Sequence, residues 1–181
     1  MRRRLLLAAP LGVGIVGVAG LGAMMAARLD APAGSGSVAS PRVGTAAPSD
    51  LLGRPWPGEE RRALRAEDLA RPGRPALLWF WASWCPACAQ SSAGPAAASD
   101  LGWLLCGVLW RDAPDRGAAA LRAWGDSYAR LTHDADGRLG EAWGIFGVPE
   151  AFLIGPDGVV RRRLVGALTP ERVERDLRPW A

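Results

Sequence analysis

The chain of 181 residues has no lysine, one histidine, one tyrosine and three cysteines. Three cysteines rule out a dense disulfide framework, and a chain of this length can form one domain around a hydrophobic core without one. The single histidine, His133, excludes a histidine-rich metal centre. With lysine absent, arginine carries every positive side-chain charge, which we read as compositional bias. The net charge of +4 is accounted for by Arg2, Arg3, Arg4 and Arg28; beyond residue 28, 18 arginines face 18 acids. No basic patch interleaved with aromatics is present, so nucleic acid is not an expected partner. The one basic cluster, Arg161-Arg162-Arg163, reads as a solvated edge strand blunted against pairing. No internal repeat is visible.

Charge is also missing from a long segment near the start. Leu5 to Ala27 is uncharged between Arg4 and Arg28. At about 1.5 Å per residue it is long enough to cross a hydrocarbon core of about 30 Å, whereas the apolar part of a cleavable signal usually runs about 7–15 residues. Residues 1–28 therefore read as an N-terminal transmembrane anchor, with cleavage in the Ala-rich sequence near Met25 as the alternative. The three leading arginines place the N-terminus in the cytoplasm and the remainder outside. Residues 29–48, rich in Ala, Gly, Ser and Pro, read as a flexible linker, and 49–181 as the folded domain.

Within that domain Ala76 to Ala82 is a continuous apolar run too short for a typical helix, so it predicts a strand buried on both faces. Cys85 to about Ala98 predicts a helix that Gly94 and Pro95 kink or end. Trp103 to Trp110 predicts a second buried strand, Ala118 to Ala129 a helix with Leu121, Trp124 and Tyr128 inward, and Leu139 to Trp143 a short helix. Val148 to Ile154 and Val159 to Val165 flank Gly155-Pro156-Asp157-Gly158, a tight-turn composition that makes them a hairpin. Thr169 and Pro170 open a last helix as N-cap and first helical residue. The order βαβα then ββα predicts an α/β fold with a mixed sheet between helices.

The motif that carries chemistry is Trp84-Cys85-Pro86-Ala87-Cys88. Two cysteines at this spacing serve a redox pair, half of a metal site or a staple. A structural zinc needs four ligands, and only Cys106 and His133 remain. Haem attachment needs a histidine directly after the second cysteine, where Ala89 stands. A staple across so small a loop constrains little. No metal or separate cofactor is expected; the Cys85/Cys88 pair would itself be the redox group. Cys106 reads as a small buried hydrophobe, and His133 as an exposed residue of a polar turn.

WCPAC at the start of a helix, followed late in the chain by Gly147-Val148-Pro149-Glu150 leading into the strand AFLIGPDGVV and a closing helix, resembles the thioredoxin fold. More narrowly it resembles the membrane-anchored thiol-disulfide proteins of cytochrome c maturation, the DsbE/CcmG type; Glu150 and Leu168-Thr169-Pro170 favour this type. The resemblance covers roughly Val43 to the C-terminus. It implies a thioredoxin-like three-layer sandwich and a reductant facing the periplasm from the bacterial inner membrane. The expected client is the CxxCH disulfide of apocytochrome c or a cytochrome c assembly thiol protein, and the expected electron source a membrane carrier of the CcdA/DsbD type. A general or oxidase-assembly thiol reductase keeps the fold and changes the client, and a noncatalytic scaffold for apocytochrome makes the sulfurs incidental.

The expected roles follow. Cys85 at the helix N-terminus is the accessible nucleophile, its thiolate favoured by backbone N–H groups, and Cys88 one turn on is the resolving thiol. Pro86 fits the first turn and tunes the potential, for which about 30 mV corresponds to about 1.4 kcal/mol. Pro149 is expected to be cis, bringing Val148 beside the sulfurs as a docking edge for an extended substrate. Glu150 is expected near the dithiol, where it would hold or relay a proton, and Trp84 to shield the disulfide and touch partners. Two departures stand out: Trp79 occupies the position of the buried aspartate of ordinary thioredoxins, and Ser91 one where relatives can carry glutamate.

Overall fold

The apolar run at Ala76 becomes the middle of the molecule. In a computed structural model of the protein, which describes residues 36, 37 and 39–180, Ala76–Trp81 is a strand with all six residues buried. Side chains alternate across a strand, so Leu77, Trp79 and Trp81 join one core cluster and Ala76, Leu78 and Phe80 the other.

The sheet contains β1 (Gly36–Ser37), β2 (Arg54–Pro55), β3 (Ala76–Trp81), β4 (Leu104–Trp110), β5 (Arg130–Asp134), β6 (Glu150–Ile154) and β7 (Val160–Val165), in the order β1-β7-β6-β3-β4-β5-β2. β3 runs parallel to β4 and β4 to β5, whereas β6 is antiparallel to both β3 and β7. The helices are α1 (Ala66–Ala70), α2 (Pro86–Gln90), α3 (Ala93–Asp100), α4 (Pro114–Trp124), α5 (Arg138–Trp143) and α6, which opens at Pro170–Arg172 and widens to π-helical turns over Val173–Leu177. Residues of α3, α4 and the α6 region fill the cluster that holds Cys85 and Cys88; α1 and α5 supply the opposite one. The result is the expected thioredoxin-like arrangement, a mixed sheet between two helical layers.

Several elements differ from expectation. The helix around Leu121 runs from Pro114 to Trp124 and ends at Gly125, whose φ of +96° no L-residue adopts easily. The freed chain carries buried Tyr128 into β5, a strand that hydrophobic pattern does not announce. The helix predicted from Cys85 breaks earlier than Gly94, at Ser91–Ser92, because the Ser91 hydroxyl donates to the Ala87 carbonyl at 2.7 Å and accepts the Leu168 N–H at 3.1 Å. Gly94 and Pro95 instead sit in the first turn of α3, where proline is tolerated. Gly94 is required for another reason: a Cβ there would lie 1.8 Å from the Leu168 carbonyl oxygen. Gly94→Ala should therefore lower stability by about 1–3 kcal/mol or more, read from the urea midpoint, since two backbones must part.

The expectation of a solvated edge for Arg161-Arg162-Arg163 is also corrected. β7 is not an edge, because β1 pairs with it antiparallel, and Arg163 is buried. The same pairing bears on the segment 29–48 read as a flexible linker: Gly36 and Ser37 are hydrogen-bonded into the sheet, Ala46 bridges Val159 and Ala47 is buried. Residues 1–28, read as an anchor, lie outside the described residues. No helix among the described residues is long and apolar enough to cross a membrane.

Candidate active site at the Cys85–Cys88 disulfide

Cys85 and Cys88 are joined as a disulfide with their Cα atoms 5.2 Å apart. The three-residue spacing follows from the first turn of α2, where Cys85 is the N-cap in an extended conformation and Pro86 is the first helical residue. Pro86 is exposed, and its missing N–H is one the helix would leave unbonded anyway. The Cys85 Sγ accepts the Cys88 N–H at 3.1 Å. A thiolate formed there on reduction would keep that donor and sit at the positive end of the turn, both of which favour the ionised form.

The loop before β6 lies across from the pair. The Val148–Pro149 peptide is cis, and the Val148 carbonyl oxygen is 3.5 Å from Cys85 Sγ. A disulfide sulfur has no proton to donate, so this contact becomes a hydrogen bond only when Cys85 is a thiol. The sequence reading expects Cys85 to be reachable; instead each cysteine is only 4 % exposed. The cause is the cluster of Trp79, Trp81 and Ala151 around the pair, with Val148 packed on it. Two aromatics stand out in the neighbouring sequence: Trp84, next to Cys85, is 52 % exposed, and Phe146, two residues before Val148, is 90 % exposed.

Glu150 departs from its expected role. Its Oε2 lies 2.7 Å from both Nε and Nη2 of Arg163, and its Oε1 accepts the Phe146 N–H at 3.0 Å. Both side chains are 3 % exposed. With both oxygens engaged, Glu150 is a buried ion-pair member that ties the Phe146 turn to β7, rather than a free carboxylate beside the dithiol. Trp79 is buried in the cluster that holds the two cysteines. Ser91 is buried as well, linking α2 to the chain before α6.

Cys106 lies in the cluster on the opposite side of the sheet from the disulfide, and burial pushes its thiol well above the ordinary range. It is not a third exchange thiol. His133, expected in an exposed turn, is half-buried in β5, and its Nε2 meets the Asp112 carbonyl oxygen at 2.7 Å. Because a carbonyl only accepts, that nitrogen carries the proton.

Sequence reasoning missed two residues here. Arg163 was hidden in a run of three arginines, and its partner is found only through the β6–β7 register. Asp112, two residues past the end of β4, accepts the Ser83 N–H at 2.7 Å and so reaches the arm that carries Trp84 and Cys85. The one signal for it was an acid before Ala-Pro at a strand end.

Residues 59–177 match the Redoxin family. The chain is 34 % identical over 140 residues to the thiol:disulfide interchange protein HelX of Rhodobacter capsulatus, covering 74 % of this chain and 79 % of that one. It is 33 % identical over 137 residues to the thiol:disulfide interchange protein DsbE of Escherichia coli, covering 72 % and 74 %. Among solved structures, DsbF of MTB superposes with a TM-score of 0.60 at 24 % identity, over 75 % of this chain and 99 % of that one. A secreted disulfide oxidoreductase of Mycobacterium tuberculosis gives 0.55 at 21 %, over 76 % and 96 %; both likenesses speak to the fold. A disulfide at a helix N-cap facing a cis-proline loop, on a sheet of this order, thus accompanies sequence kinship across most of the domain. The chain belongs to the redoxin family and, within it, to the thiol:disulfide interchange proteins of the DsbE/HelX type.

Proposed function

We propose that the protein is a thiol-disulfide oxidoreductase that reduces client disulfides, with Cys85 as nucleophile and Cys88 as resolving thiol. The observation that carries this reading is Cys85 Sγ at the N-cap of α2, holding the Cys88 N–H at 3.1 Å and facing the Val148 carbonyl at 3.5 Å. That arrangement supplies a stabilised thiolate and, beside it, a backbone edge on which an extended client can pair. The Cys85 thiolate attacks one sulfur of the client disulfide, forming a mixed disulfide and releasing one client thiolate. Cys88 then attacks Cys85 Sγ and releases the second. The client gains two electrons and the protein is left as the disulfide; the two protons given up by Cys85 and Cys88 on ionisation are matched, through solvent, by the two that the client thiolates take up. The low exposure of the pair makes one demand: for a client sulfur to reach Cys85, the loop that packs Val148 against it has to move aside.

The client in this reading is the CxxCH disulfide of apocytochrome c or a thiol protein of cytochrome c assembly. A membrane electron carrier of the CcdA/DsbD type returns the pair to the dithiol, and the N-terminal segment holds the domain at the periplasmic face of the inner membrane. Support comes from the DsbE/HelX kinship and from the three leading arginines before an uncharged segment. The redox-active pair serves without a metal or separate cofactor. A strain carrying Cys85→Ser should lose its c-type cytochromes and regain them when a small thiol is added to the medium. Haem-stained gels give the measurement, and unchanged cytochrome levels would remove the assigned role.

A further inference from the structure

The turn between β4 and α4 is fixed from several sides. Arg111 has φ +49°, the one positive value at a non-glycine among the described residues, and such a conformation persists where the surroundings over-determine it. Its N–H donates to the Asp134 carbonyl at 2.9 Å, and its guanidinium lies 4.9 Å from the Trp110 ring centroid and 3.2 Å from Glu141 Oε1. Asp112 follows with a fully buried side chain whose Oδ1 accepts the Ala113 N–H at 2.7 Å and meets Arg116 Nε at 3.1 Å. Its carbonyl receives the His133 Nε2–H at 2.7 Å. What this rigid turn offers outward is two acceptors. Asp112 Oδ2 takes the Ser83 N–H at 2.7 Å, and the Arg111 carbonyl takes the Trp84 indole N–H at 3.3 Å.

Ser83 and Trp84 are the residues that precede Cys85. After β3 ends at Trp81, this arm is also tied by the Cys85 N–H, which donates to the Ala82 carbonyl at 3.3 Å. Asp112 does not cap α4, whose N-cap is Ala113 without a side-chain cap bond; its bond to Ser83 reaches 29 residues back along the chain. We propose that Asp112 is a positioning residue for exchange at Cys85: with the Arg111 carbonyl, it latches the Ser83–Trp84 arm so that Cys85 Sγ stays on the Cys88 N–H. The inference rests on the exchange reading above. The charged and titratable groups facing Asp112 are Arg116 from α4 and His133 from β5, and Arg116 balances its charge.

The test is the pH profile of iodoacetamide alkylation of Cys85 in the reduced full-length chain, followed by mass spectrometry. Asp112→Asn keeps the volume but loses one of two acceptors; Trp84→Phe keeps a ring and loses the indole N–H, and carries the test should the first variant not fold. If the latch holds the sulfur on its donor, both variants raise the apparent thiol pKa, Asp112→Asn by about one unit, a tenfold loss of thiolate at a pH below it. Loss of a carboxylate acting through space would lower it instead, and a merely structural role would lower the unfolding midpoint and leave the pKa in place; either result overturns the proposal. Wild-type Cys85 alkylating no faster than a denatured thiol would overturn the exchange reading and the latch together. A reactive wild type with unshifted variants overturns the latch alone.

Discussion

Cys88→Ser should leave the protein able to attack a disulfide once and unable to let go. Cys85 retains its N-cap position and its amide donor, because the Cys88 N–H is backbone and survives the substitution. The first attack therefore proceeds and forms a mixed disulfide. Resolution needs a second thiolate one turn along α2, and a serine hydroxyl does not ionise in the range where a thiol does. Reduced protein mixed with a disulfide-bonded client should then shift on a nonreducing gel to a covalent complex at one client per chain, with multiple turnover abolished. Cys85→Ser should give no such complex, since it removes the one sulfur that sits at the N-cap and holds the Cys88 N–H. Equal trapping by the two single variants would contradict the division of labour between the sulfurs. Mass spectrometry of proteins trapped in the native envelope also separates apocytochrome c from other clients, which distinguishes cytochrome assembly from general reduction.

Much of this site is written locally. A tight CxxC at the end of an apolar run places the sulfurs at a helix start, because strand and helix are separated by only a few residues and the spacing fixes one turn. The hairpin at Gly155–Gly158 and the buried strands β3, β4 and β6 were legible for the same reason: apolar runs bounded by turn residues. β5 was not. Its five residues, Arg130 to Asp134, carry one wholly apolar inward side chain, Leu131, and its other buried residues are polar. Thr132 is satisfied by the carbonyls of Leu52 and Arg54, and Asp134 by the N–H groups of Leu139 and Gly140. Polar residues buried with distant partners leave no hydrophobic period, so the strand is defined by its neighbours rather than by itself. Arg163 and Asp112 escaped detection in the same way. Each is buried because a specific acceptor or donor elsewhere in the chain neutralises it, and composition reports only the charge.

Arg163→Met should be the most destabilising change close to the site, at about 3–5 kcal/mol. The pair it breaks is almost fully enclosed, with both side chains 3 % exposed and two guanidinium nitrogens 2.7 Å from Glu150 Oε2. Methionine replaces the stem of the arginine and its packing near Phe152, whose ring centroid is 5.9 Å from the guanidinium carbon. The carboxylate then keeps only the Phe146 N–H and no cation. An uncompensated buried charge, not a lost attraction, sets the size of the effect. The double variant Glu150→Gln with Arg163→Met should accordingly recover most of it, because the neutral amide can still accept from Phe146 and no charge remains to be desolvated. Urea midpoints at constant m-value measure both. The two models of Glu150 then part company: a proton relay loses exchange activity in the double variant whatever its stability. A strut that ties the Phe146 turn to β7 retains activity once folding is restored. A cost below about 1 kcal/mol for Arg163→Met would place the pair with surface ion pairs and undo the strut.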